Sequence, residues 1–156
     1  MLRVPVITDL AESLLDEGRS VVIFCNFRNT LDGFLSYFKE TSIIWGNQST
    51  DERQSMIDAF QADETKVMLC QIQSGGVGVS LHDERGERPR SSLICPTYSA
   101  IDLKQALGRI HRAGAKSKSV QRIIFAADSI EEAVIKKVKA KLHNIETLND
   151  GDIETI

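Results

Sequence analysis

The chain has 156 residues, of which 42% are hydrophobic and 26% charged, and its net charge is −3. This length and composition predict one globular domain and exclude collagen-like, disordered and disulfide-scaffold proteins. The negative net charge argues against nucleic-acid binding over the whole surface. No apolar run approaches the ~20 residues of a membrane span, and residues 1–5 lack the apolar core of a secretion signal. We therefore expect an intracellular protein, cytoplasmic or nuclear, that does not engage a membrane.

The first elements follow from hydrophobic spacing. Apolar residues at helical intervals predict a helix over Pro5–Glu17 that stops at Gly18. The nearly all-apolar run Ser20–Cys25 is typical of a strand that is covered on both faces of a parallel sheet. Asn29 is a candidate N-cap for a helix that reaches Glu40, and a short strand is predicted over Ser42–Trp45.

The second half continues the same alternation. Ser49 and Glu52 form a capping-box pattern that opens a helix through Phe60. Further strands are predicted over residues 66–70, 92–95 and 120–126, and further helices over 101–112 and from 128 or 129 to about 143. Strands that alternate with amphipathic helices predict an α/β sandwich with a mostly parallel sheet of five or six strands and helices on both faces. Ligands of such sheets collect at the carboxyl ends of strands, where the loops after Cys25 and Gln73 begin.

The cysteines predict no special chemistry. Cys25, Cys70 and Cys95 are odd in number, widely spaced, and set in apolar, strand-like runs. This pattern favours buried thiols in a reducing compartment. A zinc site needs closely clustered Cys and His, which the sequence does not supply, so we predict no metal ligand in this chain.

A glycine-rich loop follows the predicted strand over 66–70. In Ser74-Gly75-Gly76-Val77-Gly78-Val79, glycines would let backbone N–H groups approach an anion closely. A dinucleotide fingerprint starting at Gly76 would have Leu81 in place of its third glycine, so a Rossmann-type enzyme is a weak alternative. A purely structural turn is a second alternative. The sequence contains no G-x-x-x-x-G-K-[ST], so it has no P-loop.

Basic residues are concentrated in one zone. Between Leu103 and Ala127 there is no acidic residue. On a helix, Gln105, Arg109 and Arg112 would share one face, beside Gly108. Two guanidinium groups without a nearby acid favour a polyanionic ligand, with structural ion pairing as the alternative. For Lys116, Lys118 and Arg122, ordinary solvated charge is an equal alternative.

These motifs together resemble superfamily 2 helicases and translocases. Gln105-x-x-Gly108-Arg109-x-x-Arg112 is similar to motif VI of that family, the glycine loop resembles motif V, and residues 22–27 resemble motif IV. Residues 45–53 match the usual stretch between motifs IV and V. The Gly-Gly-Val-Gly loop and the His-Arg-Ala-Gly-Ala-Lys ending look most similar to the SWI/SNF-type branch of DNA translocases.

The resemblance implies a RecA-like three-layer sandwich over residues 1–156, the second lobe of a two-lobe ATPase. Arg112 would be the arginine finger on the ATP γ-phosphate, Arg109 a second phosphate contact, and Gln105 would position water or couple the lobes. Three glycines would lie at the nucleotide, and four residues would face the nucleic-acid backbone. The glycines are Gly76, Gly78 and Gly108; the four residues are Asn26, Arg28, Ser74 and Gly75.

The same resemblance implies what lies outside the chain. A first RecA-like lobe in the same longer chain would supply the P-loop and hold Mg²⁺, so the isolated chain would not hydrolyse ATP. Residues 1–17 would lead towards that lobe, and residues 144–156 are expected to fray. The expected partner is DNA, with RNA as an alternative, bound through its backbone. A different class of hypothesis is a complete nucleic-acid-binding or regulatory module that acts in trans on another ATPase lobe.

One segment departs from the family pattern. After motif V the sequence carries a charged insertion, residues 82–90. Its arginines, Arg85, Arg88 and Arg90, could contact a nucleic-acid strand, but a solvated loop is the favoured interpretation.

Overall fold

The computed structural model describes residues 3–26, 28–71, 81–86, 88–95, 116–124 and 153–155, with single helical positions at 106, 133, 136, 137 and 140. Its helices are α1 (Arg3–Asp16), α2 (Arg28–Leu35) and α3 (Thr50–Gln61). Its strands are β1 (Ser20–Cys25), β2 (Thr41–Ile44), β3 (Val67–Gln71), β4 (Arg90–Ile94), β5 (Val120–Ile123) and β6 (Ile153–Thr155).

The described strands form one parallel sheet in the order β2-β3-β1-β4-β5-β6. In its centre Ile23 of β1 lies between Leu69 of β3 and Leu93 of β4. Every residue of β1 and β4 is buried. Strands of this kind need cover on both faces, because side chains alternate between the faces. The predicted parallel α/β sheet is therefore confirmed.

Helices lie on both faces of the sheet. α1 and α2 cover one face, where Ile7, Leu31 and Phe34 pack with strand residues such as Ile23 and Leu69 in one core cluster. The strand positions that alternate with these lie outside that cluster, and they are also fully buried: Val22, Phe24, Ile44 and Met68. α3 contributes the buried Phe60 and contacts β2. The predicted arrangement of helices on both faces is confirmed.

Local signals set several helix ends as expected. Gly18 has φ +83°, and its N–H donates to the Leu15 carbonyl while that of Arg19 donates to the Leu14 carbonyl, which ends α1. At α3 the capping box is complete. Glu52 N–H donates to the Ser49 hydroxyl at 3.2 Å, and Ser49 N–H donates to the Glu52 carboxylate at 3.0 Å.

α2 differs from its predicted bounds at both ends. It begins at Arg28, so Asn29 lies inside the helix, and it ends at Leu35 rather than at Glu40. The chain turns after Phe34, whose carbonyl accepts from the N–H groups of Tyr37 and Phe38. Phe38, beyond this turn, still packs in the core cluster.

The C-terminal segment also differs in part. Residues 144–156 are expected to fray, but Ile153–Thr155 pairs in parallel with β5 at the edge of the sheet. Residues 144–152 and 156 lie outside the described residues, as do most of the predicted helices over 101–112 and 128–143. Ala106 is helical and buried, which fits the first of these helices.

The cysteines occupy the interior. All of them are buried, and the sulfurs of Cys25 and Cys95 lie 3.2 Å apart on neighbouring strand ends. The prediction that these side chains are buried is confirmed.

No helix within the described ranges combines the length and apolar character that a bilayer crossing requires.

Candidate functional site at the carboxyl edge of the sheet

Parallel strands place the loops that follow them along one edge, here called the carboxyl edge. β1, β3 and β2 end there at Cys25, Gln71 and Ile44. The Gln71 side-chain amide donates to the backbone carbonyl of Asn26 at 3.3 Å, which ties the loop after β1 to the end of β3. The glycine loop begins a few residues after Gln71, so the chain enters motif V from this edge.

Arg28, a predicted nucleic-acid contact, lies at this edge at the start of α2. Its guanidinium carbon lies 4.0 Å from the centre of the Trp45 ring, within cation–π range. Its Nε donates to the Asp32 carboxylate at 3.0 Å, one helical turn along α2. Its side chain is 39% exposed, but Nη1 is buried and has no hydrogen-bond partner. The exposed part of this side chain is what a ligand can reach.

Side chains hydrogen-bond to the backbone of Trp45 at the end of β2. The Gln48 side chain accepts from Trp45 N–H at 3.0 Å and donates to the Ile43 carbonyl at 2.7 Å. The Arg53 guanidinium donates to the Trp45 carbonyl at 3.4 Å, while its Nε is buried without a partner. Two guanidinium groups, those of Arg28 and Arg53, therefore meet at one aromatic residue.

Trp45 was predicted only as the end of a strand and not as a site residue. Trp45 lies in the stretch that matches the segment between motifs IV and V, but the pattern by itself assigns it only to a strand end. An isolated tryptophan next to a glycine, Trp45-Gly46, at a strand end of a parallel sheet was the available signal. What gives it significance is its contact with Arg28, which is distant in sequence.

The predicted site residues divide into two groups. Asn26 and Arg28 are placed at the carboxyl edge, close to each other after β1. The remaining predicted site residues lie outside the described residues: Ser74, Gly75, Gly76, Gly78, Gln105, Gly108, Arg109 and Arg112.

The charged insertion is located at the opposite, amino edge of the sheet, and it is anchored. Arg90 is only 4% exposed, lies 4.5 Å from the centre of the Phe60 ring, and donates to the Leu81 carbonyl at 3.1 Å and to Gln61 Oε1 at 3.0 Å. Arg88 forms an ion pair with Asp63 at 2.8 Å. Both the solvated-loop and the nucleic-acid interpretations are therefore wrong for Arg90; these guanidinium groups bind protein.

Asp83 organises the same insertion. Its carboxylate accepts from the Ser117 hydroxyl and from the backbone N–H groups of Arg85 and Gly86, and its carbonyl accepts from Lys116 N–H. Burial alone would raise the pKa of Asp83, but these hydrogen bonds outweigh burial and hold its pKa below the usual value. Burial lowers the pKa of Arg90, and the nearby Asp83 and Asp63 carboxylates oppose that effect.

Three further basic residues of the zone between Leu103 and Ala127 are described by the structure. Lys116 and Lys118 have exposed side chains, and Arg122 is half-buried on β5. Within the described residues no group of three or more His, Cys, Asp or Glu is arranged to hold a metal ion.

The fold defines the class of protein, and comparison with known proteins identifies the family. The C-terminal part of the Fun30 ATPase domain superimposes with a TM-score of 0.70 and 24% identity, covering 90% of this chain and 52% of that structure. The C-terminal domain of the DEAD-box protein Dbp5 superimposes with a TM-score of 0.68 and 20% identity, covering 98% of this chain and 82% of that structure. The RecA-like α/β fold is thereby established.

The Helicase conserved C-terminal domain family matches residues 5–114, and the chain belongs to this family. L364 of Acanthamoeba polyphaga mimivirus, provisionally named an ATP-dependent RNA helicase, is 42% identical over 153 residues, covering 97% of this chain and 28% of L364. The chromatin remodeling factor Mit1 of Schizosaccharomyces pombe is 30% identical over 139 residues, 85% of this chain and 10% of Mit1. The likeness to the second lobe of superfamily 2 helicases, on the SWI/SNF side, is confirmed. The chain spans less than a third of either relative.

Proposed function

We propose that this chain is the second RecA-like lobe of an ATP-dependent helicase or translocase and works with a first lobe that the same longer protein supplies. The observation that carries the proposal is the family match over residues 5–114, which takes in motif IV, the glycine loop and Gln105–Arg112. The absence of a P-loop sequence from these 156 residues fits a division of labour between two lobes.

In this proposal the chain completes an ATP site that the first lobe begins. The first lobe holds the ATP phosphates and Mg²⁺, and Arg112 reaches the γ-phosphate as the arginine finger. Arg109 is a second phosphate contact, and Gln105 positions water or couples the lobes. Gly76, Gly78 and Gly108 let the backbone approach the nucleotide closely. Charge that develops on the transferring phosphoryl group is what the guanidinium groups stabilise.

The nucleic-acid track is the carboxyl edge. Asn26 and Arg28 lie there after β1, and Ser74 and Gly75 belong to the loop that follows β3. Contacts of this kind bind the sugar–phosphate backbone without reading the bases. DNA is the proposed partner, because the glycine loop and the His-Arg-Ala-Gly-Ala-Lys ending resemble SWI/SNF-type translocases; RNA is the alternative that the test includes.

The largest effect is expected from Arg112→Ala in the native, two-lobe product. Loss of an arginine finger should lower nucleic-acid-stimulated ATP hydrolysis by about 10³-fold or more, since such a group contributes about 10³–10⁵ to the rate. Phosphate release with and without duplex DNA, and with RNA, measures this. Lys118→Ala, which removes an exposed cation from the same basic zone, is the matched control and should leave the rate unchanged.

Near-normal hydrolysis by the Arg112→Ala variant would contradict the assignment of the finger. The isolated 156-residue chain should not hydrolyse ATP, and sustained turnover by it would contradict the two-lobe proposal. An immunoblot of the native product provides an independent test. A native product of only 17.3 kDa would favour the alternative, a module that acts in trans on a separate ATPase lobe.

A further inference from the structure

Arg28 and Trp45 come from different elements and meet at the carboxyl edge. Arg28 opens α2 directly after β1, whereas Trp45 follows β2 at the edge of the sheet. The contact of 4.0 Å covers one face of the indole with a guanidinium group. Arginine side chains have high rotamer entropy, and contact with the ring reduces that entropy before any ligand binds.

The backbone of the aromatic partner is bound on both sides of the peptide unit, which bears on how well Trp45 can position Arg28. Gln48 hydrogen-bonds on both sides of it, to Trp45 N–H and to the Ile43 carbonyl, and Arg53 donates to the Trp45 carbonyl. Asp32 fixes the other end of the stack through Arg28 Nε. The guanidinium group therefore has a ring on its face and a carboxylate at its edge.

The contacts with Trp45 and Asp32 do not use all the hydrogen-bond donors of Arg28. Arg28 Nη1 and Arg53 Nε are buried and without hydrogen-bond partners, although both residues are partly exposed. The 39% of the Arg28 side chain that is exposed can bind an anion, and guanidinium groups suit the oxygens of phosphates and carboxylates. The indole is already occupied by Arg28 on one face, so the pair offers donors rather than a stacking surface for a base.

We propose that Trp45 is a positioning residue that pre-organises Arg28, beside Arg53, as a clamp for one phosphodiester group of the nucleic acid. This inference rests on the proposed nucleic-acid track and adds to it a residue and a ligand group. The role of Trp45 is indirect, because it acts through the orientation of Arg28. Asp32 limits the affinity, because its carboxylate both neutralises Arg28 and repels a phosphate.

The chain contains a single tryptophan, so its intrinsic fluorescence reports this site directly. Titration of the 156-residue chain with an unlabelled DNA duplex should change the Trp45 emission as phosphate draws charge from the stacked guanidinium group. Parallel titration with a labelled duplex, followed by anisotropy, measures the dissociation constant. Binding without any change in Trp45 emission would overturn the inference, and an equal emission change with poly-glutamate would overturn the assignment to nucleic acid.

Substitutions separate positioning from direct contact. Arg28→Ala should weaken binding about tenfold and lower the salt dependence by about one phosphate contact. Trp45→Ala should weaken binding about fivefold, and the double variant should bind no more weakly than Arg28→Ala alone. Trp45→Phe, which keeps a ring, should retain affinity within about twofold, as should Tyr37→Ala, the removal of an exposed aromatic residue elsewhere.

Asp32→Asn provides a test that misfolding cannot imitate, because the expected result is a gain. Removing the carboxylate should tighten duplex binding about twofold to threefold. Unchanged affinity in both Trp45→Ala and Asp32→Asn, with normal wild-type binding, would overturn the inference while leaving the proposed function intact. Failure of the wild-type chain and the longer product to bind any DNA or RNA would overturn the proposed function itself.

Discussion

Among the residues that the structure describes, an arginine contacts an aromatic ring at each edge of the sheet. At the amino edge Arg90 stacks on Phe60 and is buried, with its donors bound by Leu81, Arg88 and Gln61. At the carboxyl edge Arg28 stacks on Trp45, is partly exposed, and keeps a buried donor without a partner. The same pair of residue types therefore holds a loop in place at one edge and leaves a cation available for a ligand at the other.

The difference lies in the acceptors that surround each guanidinium group. Arg90 is reached by two backbone carbonyls and an amide oxygen, and carboxylates lie near it. Arg28 pairs with the carboxylate of Asp32, which is itself exposed, and no other ion pair of Arg28 is formed with a described residue. A buried cation whose donors are hydrogen-bonded contributes to the free energy of folding, because its removal takes a hydrogen bond from several buried acceptors. A surface cation with few hydrogen bonds to protein contributes little to the free energy of folding, and a ligand can replace the water around it.

Arg90→Ala tests the structural side of this comparison and should have the largest effect on stability. Removing it takes away one hydrogen-bond donor each from the Leu81 carbonyl, the Arg88 carbonyl and Gln61 Oε1, and it uncovers the Phe60 ring. The free energy of unfolding should fall by about 2–4 kcal/mol, measured by urea denaturation. Arg85→Ala removes an exposed arginine from the same insertion and should change the free energy by less than about 0.5 kcal/mol. Equal effects of the two substitutions would contradict the anchored insertion.

The pH dependence of stability sharpens the role of Asp83 at the same edge. Because the folded-state pKa of Asp83 is depressed, its carboxylate stabilises the fold at pH values above the unfolded pKa of about 3.9. That contribution is lost as pH falls through the folded pKa. Wild type should therefore be more stable than Asp83→Asn at neutral pH, and the gap between their urea midpoints should narrow below about pH 4. A gap that stays constant down to low pH would show that the charge of Asp83 is not what stabilises the insertion.

Arg28→Ala should have the smallest effect on stability. An exposed ion pair and an exposed cation–π contact each contribute about 0.5–1 kcal/mol at most, and the loss of Arg28 also removes an unsatisfied buried donor. The free energy of unfolding should fall by less than about 1 kcal/mol, measured by urea denaturation beside Arg90→Ala. A loss as large as that of Arg90→Ala would mean that Arg28 is a structural residue, and the two edges would no longer differ.

Sequence alone determined the parts of this protein that depend on neighbours along the chain. The apolar run of β1, the stop at Gly18 and the capping box of Ser49 and Glu52 were predicted and are confirmed, because spacing and hydrogen bonds within a few residues decide them. The parallel α/β architecture followed from their alternation. The motif resemblance similarly identified the family, since each motif is contiguous or nearly so.

Tertiary structure alone decided the partners of the charged and aromatic side chains. The sequence of residues 82–90 does not show whether its arginines are exposed to solvent or hydrogen-bonded to the protein. Gln61 and Phe60, far away in sequence, decide that Arg90 is buried. Trp45 meets Arg28 only because the order β2-β3-β1 brings the ends of β1 and β2 to one edge. Polar side chains satisfy their hydrogen bonds with whatever acceptor is close in space, so the fate of each arginine is set by the assembled sheet rather than by its local sequence.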